Sequence, residues 1–155
     1  MQELKRILIA TDLSPASEPA LQMAAALAIR MDAGLTLLHV LPGKELEALA
    51  SAHQPRHPVD LIYSELEASV REQYRQVVPD EVRRFLHAEV LVVPGVPAAE
   101  IIRTAAAKGA DLIITGTHGR TGLRRILMGS VAEQVLRGAP CPVLTVRPQE
   151  LREAP

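Results

Sequence analysis

Five short apolar runs, each bounded by turn residues or charges, constrain the fold of this sequence more than any other feature. The runs are mostly continuous rather than alternating, which is typical of strands covered on both faces of a sheet. Segments with helical spacing separate them, and parallel strands need such crossover connections. The sequence therefore predicts an α/β fold in which helices alternate with five parallel strands, at Ile7–Ala10, Leu35–Val40, Glu89–Val93, Leu112–Thr115 and Val143–Val146.

Length and charge exclude several classes of protein. The 155 residues are 48% hydrophobic, which suits one domain spanning 1–155. A formal net charge of −1 gives no basic field for nucleic acid, so we expect no nucleic-acid partner. No apolar run approaches the roughly 20 residues of a membrane span, and the N-terminus lacks a signal peptide's cleavage region. We therefore expect a cytoplasmic protein that does not bind membranes.

Helical spacing is clearest after Pro97, where the apolar positions share one side of a helix that Gly109 can end. A last helix is predicted from Gly129 or Ser130 to Arg137. The first helix has two possible starts. Pro15 suits a first helical position after Ser14, but Pro19 would then interrupt the helix, so a start at Ser17 is the alternative.

The segment from residue 42 to about 85 looks variable. Pro42–Val59 contains several prolines and predicts a solvated loop, followed by a charged helix over Asp60–Val78. His53 and His57 lie four apart, but the neighbouring prolines break any helix that would place both on one face, so we expect no metal site there. The single cysteine, Cys141, has no partner thiol in this sequence and is interpreted as a small buried hydrophobe.

Ligands of open α/β sheets bind beyond the carboxyl ends of the strands, so the segments after the first and fourth strands are the candidate site. The first strand ends in Thr11-Asp12-Leu13-Ser14. This segment brings a carboxylate and two hydroxyls to the edge of the sheet. Its simpler interpretation is that Asp12 and Ser14 cap the following helix.

The fourth strand leads into a glycine-rich segment, Gly116-Thr117-His118-Gly119-Arg120-Thr121-Gly122, and the next helix begins at Gly129-Ser130. Glycines permit close backbone approach, and a helix N-terminus directs free amides at an anion, which suits a phosphate chain. Neither the P-loop nor the dinucleotide fingerprint is present. The residues alone leave open an anion site or a tight loop without a ligand.

The spacing Gly116-x2-Gly119-x9-Gly129-Ser130 resembles the ATP-binding signature of the universal stress protein family, G-x2-G-x9-G-[ST]. The stretches Gly129–Leu136 and Ala139–Leu144 are also similar to that family, as is Thr11-Asp12 after the first strand. The three motifs occur in the family's order. Residues 42 to about 85 carry no signature.

The resemblance implies a Rossmann-like sheet of order 3-2-1-4-5 with helices on both faces and an adenine nucleotide between strands one and four. Thr11 and Asp12 would lie beside the nucleotide, with Asp12 near the ribose or a phosphate-bound Mg²⁺. The main chain of Val40 would bind adenine. The ribose and phosphates would contact the remaining family positions, Gly116, His118, Gly119, Arg120, Gly129, Ser130 and Val131.

The resemblance also implies a homodimer joined along Val143–Val146, and an apolar edge strand has a physical reason to be covered. We expect an ATP-binding regulatory protein of the stress response. No Walker lysine is present, so hydrolysis should be slow at most. The alternative is an enzyme on the same scaffold, a nucleotide hydrolase or an adenylate-forming enzyme that holds Mg²⁺ at Asp12.

Overall fold

The computed structural model describes residues 3–52, 59–117 and 129–148. Five parallel strands form one sheet of order β3-β2-β1-β4-β5, which confirms the α/β class and the strand order. The strands are β1 Arg6–Ala10, β2 Gly34–Leu41, β3 Ala88–Pro94, β4 Leu112–Gly116 and β5 Val143–Val146. The helices are α1 Glu18–Met31, α2 Gly43–Ala52, α3 Val59–Val77, α4 Asp80–Arg83, α5 Pro97–Lys108 and α6 Ser130–Gly138.

Side chains that alternate along the central strands build one apolar core on each face of the sheet. Ile7 and Ile9 of β1 belong to the core beneath α1 and α3, whereas Leu8 belongs to the core beneath α5 and α6. Burial on both faces explains why the strand sequences are continuously apolar. The core is largely aliphatic, with Tyr74 of α3 as a buried aromatic residue, as expected for a sequence that is only 2% aromatic.

The connections change sides of the sheet between β1 and β4. These strands are neighbours, with Ala10 of β1 opposite Thr115 of β4. The chain leaves β1 toward α1 on one face, and α6 after β4 packs on the other face. The carboxyl ends of β1 and β4 therefore flank the crevice where open α/β sheets bind ligands.

The two possible starts of the first helix are both partly right. A 3₁₀ turn spans Pro15–Ser17, with Ser14 before it, and α1 begins only at Glu18. Pro19 is then in the first turn of α1, where its missing N–H would have had no intrahelical acceptor. The change from 3₁₀ to α geometry accommodates both prolines.

The prediction of a loop over Pro42–Val59 is wrong for its first part, because Gly43–Ala52 is the helix α2. The Pro42 carbonyl accepts the N–H groups of Glu45 and Leu46, so Pro42 stands immediately before the first turn. A proline in that place does not interrupt a helix. The predicted charged helix is confirmed as α3, while His53 and His57 lie outside the described residues. Across the described ranges, no helix combines the length and apolar character needed to cross a bilayer.

Candidate functional site

A cavity of about 280 Å³ opens at the carboxyl ends of β1, β2 and β4, where the first turn of α6 closes one side. Seven of the residues predicted from the sequence line it: Thr11, Asp12, Val40, Gly116, Gly129, Ser130 and Val131. The other three, His118, Gly119 and Arg120, lie outside the described residues. Segments that are far apart in the chain thus meet at the crevice between β1 and β4.

The end of β4 and the start of α6 are joined directly by a hydrogen bond. The Gly129 N–H donates to the carbonyl of Thr117, with 2.7 Å between nitrogen and oxygen, and the Gly129 carbonyl accepts the N–H of Glu133 at 3.0 Å. The N–H groups of Ser130 and Val131 belong to the first turn of α6, and N–H groups of a first turn have no acceptor within the helix. Both residues line the cavity, so this end of α6 can offer donors and the positive end of its dipole.

Gly129 does not occupy a conformation that requires glycine. Its φ of −57° and ψ of 149° are accessible to any residue with a side chain. Gly129 lines the cavity and presents no Cβ to it.

Asp12 forms a local turn with Ser14 at the end of β1. Its Oδ1 atom accepts hydrogen bonds from the N–H of Ser14 at 3.0 Å and from the Ser14 hydroxyl at 2.6 Å. Neither Ser14 nor Ser17 caps its helix through a side-chain hydrogen bond, so the capping interpretation is wrong. The carboxylate instead closes an Asx turn, and this places it on the cavity wall.

Thr11 lines the cavity, but its polar groups are engaged within the protein. Its N–H donates to the Leu38 carbonyl at 2.9 Å, and its hydroxyl donates to Oε1 of Gln73 at 2.8 Å. The same hydroxyl oxygen accepts the N–H of Leu13 at 3.1 Å and lies 2.9 Å from the Ser17 hydroxyl. Thr11 is therefore suited to holding the end of β1 in place.

His39 is a cavity residue that the sequence interpretation missed. The side chain is only 2% exposed, and its Nδ1 atom lies 2.9 Å from the carbonyl of Thr11. Because a carbonyl oxygen only accepts, Nδ1 carries the proton in this contact. The sequence did offer a signal for it, because His39 is a polar residue within the otherwise apolar run of β2 and precedes Val40, a predicted site residue.

The missed lining residues come partly from elements without the glycine signature and partly from β4 and α6, which carry it. Glu45 of α2 is a second acidic residue, besides Asp12, in the lining of the cavity. Within the described ranges, no group of three or more His, Cys, Asp or Glu residues could hold a metal by itself. The remaining missed residues on the wall are Ser17, Pro42, Pro97, Ile101, Thr115, Thr117 and Ala132, together with Ala10 and Leu38.

Comparison with known proteins identifies the family of this chain. The sequence model of the universal stress protein family matches residues 3–147. This chain belongs to the universal stress protein family. The assignment confirms the family that the sequence resembles.

Relatives and solved structures agree with the family assignment. Universal stress protein MJ0531 of Methanocaldococcus jannaschii is 37% identical over 143 residues, which cover 92% of this chain and 82% of that protein. The solved structure of MJ0577 from the same organism has a TM-score of 0.75 at 29% identity, covering 96% of this chain and 99% of that one. An Archaeoglobus fulgidus universal stress protein solved in complex with dAMP shares the fold at 19% identity and a TM-score of 0.58, covering 94% and 100% of the two chains.

Proposed function

We propose that this universal stress protein binds an adenine nucleotide, with ATP as the expected ligand, in the cavity between β1 and β4. The observation that carries this proposal is the meeting of Asp12, Gly116 and the first turn of α6 around one space. A nucleotide needs amide donors at its phosphates and an apolar surface at its base. The lining of the cavity includes both.

The phosphate chain is assigned to the α6 side. The Ser130 and Val131 amides and the Ser130 hydroxyl are donors there, and Gly129 leaves room beside them. Interaction with one helix end contributes about 0.3–1 kcal/mol at an exposed site, so several donors must act together. We assign Gly119, His118 and Arg120 to the ribose and phosphates on the strength of the family spacing.

Mg²⁺ is assigned to the Asp12 side of the phosphates. Mg²⁺ bound with nucleotides commonly takes one or two carboxylates, phosphate oxygens and waters. Asp12 supplies a carboxylate whose Oδ1 atom is fixed by Ser14, so the group is held against the cavity before the ion arrives. The ion would neutralise phosphate charge near this wall.

The adenine is assigned to the end of β2, where the main chain of Val40 can bind its edge. Leu38, Pro42 and Ile101 make the neighbouring wall apolar, which suits an aromatic base. The fold can hold such a ligand, since the Archaeoglobus fulgidus protein of this family was solved with dAMP.

We propose a regulatory role in which nucleotide occupancy changes the protein's conformation or partner, with at most slow hydrolysis. Fast phosphoryl transfer requires a group that positions the attacking water at the terminal phosphate. Of the two wall carboxylates, Asp12 is held in its own turn by Ser14. Together with the lack of a Walker lysine in the sequence, this supports binding over fast turnover.

We further propose a homodimer joined along β5. This strand is an edge of the sheet, and its four residues Val143–Val146 are only partly buried. An apolar edge strand exposes unpaired backbone groups unless another chain or element covers it. Pairing with its own copy would cover these groups.

The nucleotide proposal is tested by calorimetric titration of the protein with Mg-ATP. Gly129→Asp should reduce the affinity at least ten-fold, because the new carboxylate stands among the donors assigned to the phosphates. Aspartate is a favoured residue immediately before a helix, so α6 should remain intact. Gln134→Glu adds the same charge at an exposed position of α6 and should leave the affinity unchanged. Absence of saturable binding by the wild type, or full affinity in Gly129→Asp, would contradict the proposal.

Turnover is measured on the same samples. Release of phosphate or pyrophosphate from ATP should stay below about one turnover per minute. Many turnovers per minute by a catalytic amount of protein would instead favour the nucleotide-hydrolysing or adenylate-forming enzyme.

A further inference from the structure

Gln73 of α3 reaches the turn that forms the β1 side of the cavity, although it belongs to the segment without a family signature. We infer that Gln73 is a positioning residue for this turn, Thr11–Ser14, and thereby for nucleotide affinity. The inference rests on the proposed nucleotide site. Through Gln73, helix α3 would then support the site, although α3 lies outside the glycine motifs.

The contacts of Gln73 use both ends of its amide. Oε1 accepts the Thr11 hydroxyl at 2.8 Å, while Nε2 lies 3.3 Å from the Ser14 carbonyl and 3.3 Å from the Ser17 hydroxyl. The residue is only 9% exposed, so water cannot readily replace these partners. Gln73 thus binds the first and last residues of the turn simultaneously.

The two hydroxyls beside Gln73 each have one proton to donate, and this explains why an amide side chain suits position 73. Oε1 and the Ser14 carbonyl can only accept, so Thr11 gives its proton to Gln73 and Ser17 gives its proton to Ser14 at 2.7 Å. Neither hydroxyl then has a proton left for the other. An N–H donor directed at Ser14 and Ser17 completes the group, and Nε2 of Gln73 provides it.

The turn needs such support because its backbone is strained. Leu13 has a φ of 65°, in the left-handed region that bulky side chains rarely adopt. Its N–H is bound by the Thr11 hydroxyl, which is itself bound by Gln73. Loss of the Gln73 amide would release the hydroxyl that holds Leu13, and the Asp12 carboxylate next to it would lose its fixed position.

The inference is tested with Gln73→Met, which keeps the length of the side chain and removes both polar ends. Gln76→Met is the matched control on α3, since Gln76 is exposed and its side chain bonds that of Glu72 at 3.1 Å, away from the turn. We expect Gln73→Met to weaken Mg-ATP binding about ten-fold, the effect of losing roughly 1.4 kcal/mol of positioning. The control should bind as the wild type does.

A nucleotide-free measurement separates this inference from the proposed function. Amide hydrogen exchange by NMR should accelerate at Leu13 and Ser14 in Gln73→Met, while α6 and β4 keep wild-type protection. This readout tests the positioning of the turn even if the wild type binds no ATP. That result would reject the proposed function and the effect on affinity, and it would leave the contact of Gln73 with the turn to be judged by exchange. Unchanged exchange at Leu13 and Ser14 would overturn the role of Gln73.

A second variant covers the case in which Gln73→Met does not fold. Gln73→Glu keeps the acceptor for Thr11 and loses the donor to Ser14, so exchange at Ser14 should accelerate and ATP affinity should fall. Wild-type exchange and affinity in Gln73→Glu would overturn the inference equally.

Discussion

Cys141 illustrates how its surroundings set the chemistry of one residue. The side chain is half-buried between two prolines and contributes to the core on the α5 and α6 side. Burial raises the pKa of the Cys141 thiol, and the negative charge of Asp111 raises it further, against a smaller lowering by the backbone of Ile113. The neutral thiol is therefore favoured in the folded protein. The interpretation of Cys141 as a small buried hydrophobe is right in part, because the side chain packs against the core but is only half-buried.

Thiol reactivity should follow the direction of this shift. At pH 8 the folded protein should react with a disulfide reagent at least several-fold more slowly than the unfolded protein, because only the thiolate attacks. Because the folded protein holds the thiol proton more tightly than the unfolded chain, Cys141 contributes to the free energy of unfolding at pH values below the ordinary thiol pKa. This contribution is lost as pH rises through the raised pKa of the folded protein. Reaction rates measured from pH 7 to 10, with and without denaturant, test this; equal rates in both states would contradict it.

Helix ends show how backbone geometry restricts the choice of residue. At the end of α5, Gly109 has a φ of 59°, and the next N–H, that of Ala110, bonds the carbonyl of Ala105 at 2.8 Å. This is the glycine stop that the sequence predicts. After α1 the left-handed position belongs instead to Asp32, and Gly34 begins β2.

Two alanine substitutions should have opposite effects on the free energy of unfolding. Gly109→Ala should destabilise by at least about 1 kcal/mol, because a left-handed residue gains a Cβ. That Cβ would lie 2.9 Å from Nη1 of Arg6. Gly43→Ala at the start of α2 meets nothing within 4 Å and should be neutral or stabilise by up to about 1 kcal/mol.

Urea unfolding of both variants beside the wild type measures these effects. A stabilised Gly109→Ala would show that the left-handed geometry at the end of α5 is not needed. A strongly destabilised Gly43→Ala would contradict the open surroundings of α2.

At the scale of the whole molecule, β5 presents one edge of the sheet. On its β4 side, the Pro142 carbonyl accepts the N–H of Ile113, and the Val146 carbonyl accepts the N–H of Thr117, both at 3.0 Å. Since a parallel strand directs alternate residues to each neighbour, Val143 and Thr145 carry their backbone groups to the open edge. These are the groups that the proposed dimer would pair.

Thr145→Pro should convert the proposed dimer into a monomer. Proline removes an N–H from the open side of β5 and leaves the bonds to β4 intact, and its φ is tolerated in an edge strand. Thr145→Val retains the N–H and should remain dimeric. Sedimentation velocity measures the difference; a monomeric wild type, or a dimeric Thr145→Pro, would contradict pairing along β5.

Much of the fold could be predicted because its signals are local. The five predicted strands match the observed ones to within about one residue at each end, since continuous apolar runs end where turn residues begin. Helix α2 was missed because the prolines around it indicated a loop, and its packing against α3 cannot be read from local sequence preferences. The strand order came from the family resemblance, which the parallel pairings confirm.

The sequence by itself determined which chain segments become strands and which glycines and polar residues stand at their carboxyl ends. Only the tertiary structure decided that Thr11 is engaged by Gln73, 62 residues away, and that His39 and Glu45 share a wall with Asp12. The physical reason is the range of the interactions involved. Hydrophobic periodicity and turn preferences act between near neighbours, whereas a buried hydrogen-bond network depends on packing that brings distant helices and strands together.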